Sequence, residues 1–167
     1  SSFDYLIIAT HADQALQILE SPTEFEQSIL SAFEYTTNKA YLHSDSKMMP
    51  ENKKTWSSWN FIKNKKNDHT FTLTYWMNNL QKLKTNSDYF VTINPATVPQ
   101  NIHNETFFRH PKFNLQTSKN QSKLVGLQGV NNTFFCGAYH GFGFHEDGIQ
   151  SAAYVANMLD VDIPWER

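Results

Sequence analysis

The sequence predicts an α+β fold, on three observations. A short apolar run opens the chain and is followed by two helix-like segments. A middle stretch alternates apolar residues with threonine at period two. All six glycines crowd between Gly126 and Gly148. The chain therefore reads as a strand with helices, an antiparallel insert, and a returning strand, glycine loop and helix.

Residues 3–9 (FDYLIIA) are rich in β-formers and bounded by Thr10-His11, which predicts a buried strand of a parallel sheet. Residues 12–19 have helix composition. Ser21-Pro22-Thr23-Glu24 reads as a capping box with proline at the first helical position, and Phe25, Ile29, Leu30 and Phe33 follow on one helical face. Strands are expected over residues 39–44 and 56–62. Phe71, Leu73 and Tyr75 alternate with Thr70, Thr72 and Thr74, the period of a half-exposed antiparallel strand. The period lengthens through Met77, Leu80 and Leu83, predicting a short helix, and residues 89–93 form one more strand, stopped by Asn94-Pro95. Residues 133–136 predict a buried strand. Ile149, Ala152, Ala153, Ala156 and Leu159 then recur at helical spacing.

Composition narrows the function. Hydrophobic residues make up 40% of the 167, too many for a disordered tail, and a formal net charge of −2 gives no general attraction to nucleic acid. A single cysteine, Cys136, excludes an internal disulfide framework and fits a reducing, cytoplasmic setting. No run is apolar enough for a transmembrane segment. Ser1-Ser2 leads into a strand-like run without an initiator methionine, so a fragment of a longer protein is expected.

Chemistry concentrates in residues 136–152 (CGAYHGFGFHEDGIQSA). Glycines between a strand and a helix let backbone approach a ligand and aim the helix's first N–H groups at it. The bland alternative is a tight turn with no ligand. Glu146 and Asp147 stand at the helix start, where an acid caps those N–H groups and repels phosphate. A neutral, electron-rich ring that gains negative charge on reduction suits the place better, and the pyrimidine edge of a flavin is such a ring.

Essentially the whole chain carries a family resemblance, most specific in this loop and the strand before it. ATHADQAL (9–16), LHSD (42–45), MMP (48–50), WSSWN (56–60), YWMNNLQ (75–81), INP (93–95), RHP (109–111) and FCGAYHGFGFHEDGIQSA (135–152) occur in this order. They are similar to the C-terminal part of a bacterial group of predicted NAD/FAD-binding proteins in the flavin-containing amine-oxidase superfamily. The resemblance implies a fragment of a two-domain fold. Residues 1–38 would be a strand and helices of the FAD domain, 39–118 the antiparallel substrate insert, and 119–167 the returning FAD-contacting strand, loop and helix.

The implied activity is FAD-dependent oxidation of a small or lipid-like substrate by hydride transfer. Gly141, Gly143, His145, Glu146, Asp147, Gly148 and Ile149 would contact the cofactor, and Trp59, Asn60 and Trp76 the substrate. The dinucleotide motif G-x-G-x-x-G of such proteins is absent, so FAD is expected in the intact protein and not on this chain alone, whose partner would be the missing N-terminal half. No residue is singled out as catalytic. The rivals are a non-catalytic binding module that kept the fold, and a flavin desaturase or isomerase acting on a lipid or isoprenoid.

Other candidates are weaker. His140, His145 and Glu146 lack the H-E-x-x-H spacing of a metal site, so no metal is expected. Any of the aromatics, Trp56 and Tyr75 included, can equally be sheet core. His43 and Asp45, two apart on a strand, share a face as an acid–base pair would. Cys136 reads as a buried, inert thiol. Lys53, Lys54, Lys63, Lys65 and Lys66 bracket the tryptophan strand, either as a solvated hairpin end or as a site for an acidic or lipid-headgroup partner.

Overall fold

The structure is a computed structural model that describes residues 2–63 and 71–165; Lys65, Lys66 and Thr70 lie outside the described residues. The fold is α+β, and the chain divides into two compact units, residues 1–36 with 110–167 and residues 37–109. Residues 110–118, expected with the insert, group with the first unit.

In the first unit, β1 (Leu6–Ile8) pairs in parallel with β7 (Thr133–Phe135), Ile8 opposite Phe135. Only Ile8 of β1 is buried. Leu6 and Ile7 are half-exposed, so the expected buried strand is shorter and barer than its composition suggests. Among the described residues β7 is the one partner strand of β1. Helix α1 (Ala12–Ile18) turns Ala12 and Ala15 inward. Helix α2 (Glu24–Leu30) is capped by Thr23, whose hydroxyl accepts from the Glu26 N–H while Glu26 accepts from the Thr23 N–H. The capping box is therefore Thr23–Glu26, and Pro22 precedes the cap instead of opening the helix. Ile29, Leu30 and Phe33 are buried as the spacing requires, whereas Phe25 is half-exposed, its ring lying over Gly126. These residues join Leu124, Leu127, Phe135 and Tyr139 in one core.

Helices α4 (Leu115–Gln121) and α5 (His145–Met158) complete the unit. The buried stripe of α5 is Ser151 and Val155, with Leu159 packed beside them, not the alanine stripe expected from the spacing. Ser151 is the reason: its hydroxyl accepts from the Gly137 N–H (2.9 Å) and donates to the Gly148 carbonyl (2.7 Å), which turns that face to the loop.

The second unit is built on a five-stranded sheet in the order β3-β4-β5-β2-β6. Its strands are β2 (Glu34–His43), β3 (Trp59–Lys63), β4 (Phe71–Trp76), β5 (Phe90–Ile93) and β6 (Ile102–Lys112), of which β2 and β6 run on into the first unit. A one-turn helix, α3 (Met77–Leu80), follows β4. Strand β2 pairs antiparallel with β5, β3 with β4, and β4 with β5. Contacts Ser44–Asn101, Lys39–Glu105 and Glu34–Lys112 run in opposite directions along β2 and β6, so that pair is antiparallel too. Strand β3 starts at Trp59, later than the expected 56, because residues 53–55 form a 3-10 turn and the Trp56 indole donates to the Pro50 carbonyl.

The threonine alternation in β4 is present, but the threonine face is the buried one. Asn60, Thr74, Thr92 and His43 are buried on one side of the sheet, with Phe90 and Tyr41. Phe90 lies edge-on to Trp56, which covers that side. By the register, Trp59, Phe61, Phe71, Leu73, Tyr75, Val91 and Leu42 share the other side, where Trp59 is 53% and Phe61 68% exposed.

Candidate functional site

Strand β7 ends at Phe135, and Cys136 leads to Gly137, whose φ of +153° belongs to glycine. A Cβ there would lie 2.9 Å from the Thr10 carbonyl oxygen, so the loops after the two parallel strands are in contact at their C-terminal ends. Ligands of open parallel sheets bind at that end. From Gly137 a 3-10 turn (Ala138–His140) and the segment 141–144 lead into α5, which begins at His145.

Side chains of the unit hold this loop. The Asp147 carboxylate accepts from the Phe142 N–H (3.0 Å) and the Phe144 N–H (2.8 Å). The Gln121 amide donates to the carbonyls of Tyr139 (3.1 Å) and Gly141 (2.6 Å). Asp147 therefore serves as the capping acid expected of it. The two glycines expected to admit a ligand admit the protein's own groups instead. A Cβ on Gly141 would overlap the Asp147 carboxylate, and one on Gly143, at φ +90°, would stand 3.0 Å from Pro111 and 3.3 Å from Phe113. Gly148 faces Ala138 at ordinary contact distance. His145, Glu146 and Ile149 are exposed at the helix start, as are Phe142 and Phe144.

Two buried polar atoms here have no hydrogen-bond partner, the Tyr139 hydroxyl and the His140 Nε2. Burial raises the Tyr139 pKa and lowers that of His140 to about 4. Cys136 is buried, and burial raises its thiol pKa, which disfavours the thiolate. Among the described residues no group of three His, Cys, Asp or Glu side chains is placed to hold a metal ion.

In the second unit the three expected substrate residues part company. Trp59 lies on the open face, edge-on to Tyr75. Asn60 is buried and committed to backbone: its amide binds the Ser57 N–H, the Ser57 carbonyl and the Thr74 carbonyl. It pins the start of the hairpin and presents nothing to a ligand. Trp76 lies on the covered face, packed edge-on to Trp56, and its indole donates to Asp88. His43 and Asp45 are not an acid–base pair. The His43 Nδ1 accepts from the Asp45 backbone N–H, while the Asp45 carboxylate accepts from the backbone of Lys47 and Gln100. Lys53 is bound to Asp88.

The open face also holds a cavity of about 420 Å³. Ala40, Leu42 and Val91 line it from the sheet, with Met77 and Leu83 on one side and Phe108 on the other. Sequence reading missed it because β6 was not recognised. Asn104, Thr106 and Phe108 line it from that strand, which carries no apolar alternation to mark it in the sequence.

No family model matches the chain, and no curated protein matches it. Among solved structures it is similar to the crystal structure of a CLA-producing fatty acid isomerase from P. acnes. The TM-score is 0.61 at 12% identity, over 95% of this chain and 42% of the isomerase chain. The chain thus spans about two-fifths of that relative's length, and the likeness is one of fold. Among the described residues no helix is long and apolar enough to cross a membrane.

Proposed function

We propose that the chain is the C-terminal part of a FAD-dependent oxidoreductase of the amine-oxidase type, oxidising a small or lipid-like substrate by hydride transfer. The observation that carries the reading is the loop from Gly137 to α5, which lies at the C-terminal ends of paired parallel strands and leaves His145, Glu146 and Ile149 exposed at a helix start. The resemblance of residues 135–152 to flavin proteins supports it, as does a fold likeness over nearly the whole chain. When bound, FAD supplies the hydride acceptor. The residues of this chain orient and shield: His145, Glu146, Gly148 and Ile149 would hold the ring side, Asp147 keeps the loop closed, and Trp59 contributes to a substrate wall.

A second reading, a flavin isomerase or desaturase acting on a lipid, is favoured by the apolar open face of the sheet and by the activity named for the isomerase of similar fold. The test uses the intact protein. A flavin absorption spectrum that bleaches anaerobically with benzylamine supports the amine type. Turnover of linoleate without net bleaching supports the isomerase. A protein purified without flavin, and unable to take it up, sinks both and leaves a binding module.

A further inference from the structure

We propose that the cavity on the open face of the five-stranded sheet binds an unbranched aliphatic chain, the hydrocarbon part of a fatty-acid-like substrate. The inference rests on the flavin-enzyme reading in calling the ligand a substrate; the chemistry of the cavity is argued from its own walls. Its floor is Ala40, Leu42 and Val91, and its sides are Met77, Leu83 and Phe108. At about 420 Å³ it falls within the range of roughly 300–1,000 Å³ typical of small-molecule sites.

Charge decides the class. No lining residue is ionisable near neutrality, and the polar groups present are the amides of Gln81 and Asn104 and the hydroxyls of Thr106 and Tyr89. An ammonium or carboxylate taken inside would lose water without gaining a counter-ion, a cost of several kcal/mol or more for a buried charge. A methylene chain loses nothing. The charged end of a fatty acid therefore stays outside the apolar floor, at the opening or beyond it.

The experiment uses the intact protein and displacement of bound cis-parinaric acid, followed by fluorescence. Competitors are straight-chain alkanols and alkanoates of about eight to sixteen carbons. Each methylene that enters should tighten binding about fourfold, with a plateau once the cavity is full. Val91→Trp fills the floor and should move the plateau to shorter chains without changing the melting temperature. If that variant does not fold, Leu83→Ser, at a partly exposed wall position, should weaken every long chain severalfold. Affinity independent of chain length, or a profile unaltered in a folded Val91→Trp or Leu83→Ser variant, overturns the proposal. So does displacement by phosphatidylcholine vesicles with none by monomeric alkanols or alkanoates, which would mean contact with a membrane surface, or closure of the face by another part of the protein, in place of a chain-binding site. The two readings fail separately. Flavin without chain-length dependence removes the ligand class alone, and chain-length dependence without flavin removes the enzyme reading alone.

Discussion

Two histidines are held neutral by burial, one in each unit. Burial lowers the pKa of His43 below 6.5, with His103 adding to the effect and Asp45 opposing it, and burial lowers that of His140 to about 4. In the unfolded chain both titrate near 6.5. Below that pH the unfolded state binds more protons, so the stability they contribute is complete above pH 6.5 and is lost as pH falls towards the folded values. For His140 the loss amounts to at most about 3 kcal/mol. Urea melts at pH 7.5 and 4.5 should show it, and His140→Phe should reduce the difference; an equal acid loss in the variant would refute the assignment. Asp147 offers a second test. Asp147→Ala removes the acceptor for two loop N–H groups and should cost about 1–2 kcal/mol. Glu146→Ala loses only a contact with Gln150 one turn on, worth a few tenths of a kcal/mol. Equal melting temperatures for the two variants would mean that the loop does not depend on Asp147.

Within the sheet, the covered face is held by a relay whose direction follows from one backbone bond. Because Asp45 N–H donates to His43 Nδ1, the ring proton sits on Nε2 and donates to the Thr92 hydroxyl (2.7 Å), leaving Thr92 to donate to Thr74 (2.9 Å). Thr92→Val keeps the shape but strands the buried Nε2–H, and a loss of about 1–3 kcal/mol in chemical denaturation is expected. A neutral result would mean that the bond between His43 and Thr92 contributes nothing to stability. The relay also explains which elements were legible in the sequence. Period two identifies a strand but does not say which of its faces is covered, and here threonine and histidine side chains satisfy one another inward while Asn60 is satisfied by backbone. A capping signature was visible at residues 21–24 because such bonds are local, but the box that forms is Thr23–Glu26, two residues further on. Strand β6 was not visible, since Ile102–Lys112 is almost wholly exposed and carries no apolar alternation. The glycines of the loop were visible as a cluster, but their purpose depended on Pro111 and Phe113, distant in sequence and brought close only by folding.

Across the molecule, the dinucleotide motif expected of a FAD protein is absent from these 167 residues. The purified chain alone should therefore lack a tightly bound, stoichiometric flavin. A flavin-to-protein absorbance ratio near one would refute this, and with it the dependence on an N-terminal half. The path of the backbone has a different consequence. Residues 37–109 leave the first unit along β2 and return along β6, and these strands are neighbours in the sheet. An insertion whose two ends meet side by side can be replaced by a short turn without severing the chain that flanks it. Joining Thr36 to His110 through such a turn should leave β1, β7 and α5 in their original order. Recombination at these two points would give a lineage a new cavity while sparing the rest, so ligand preference and the loop before α5 are free to evolve at different rates.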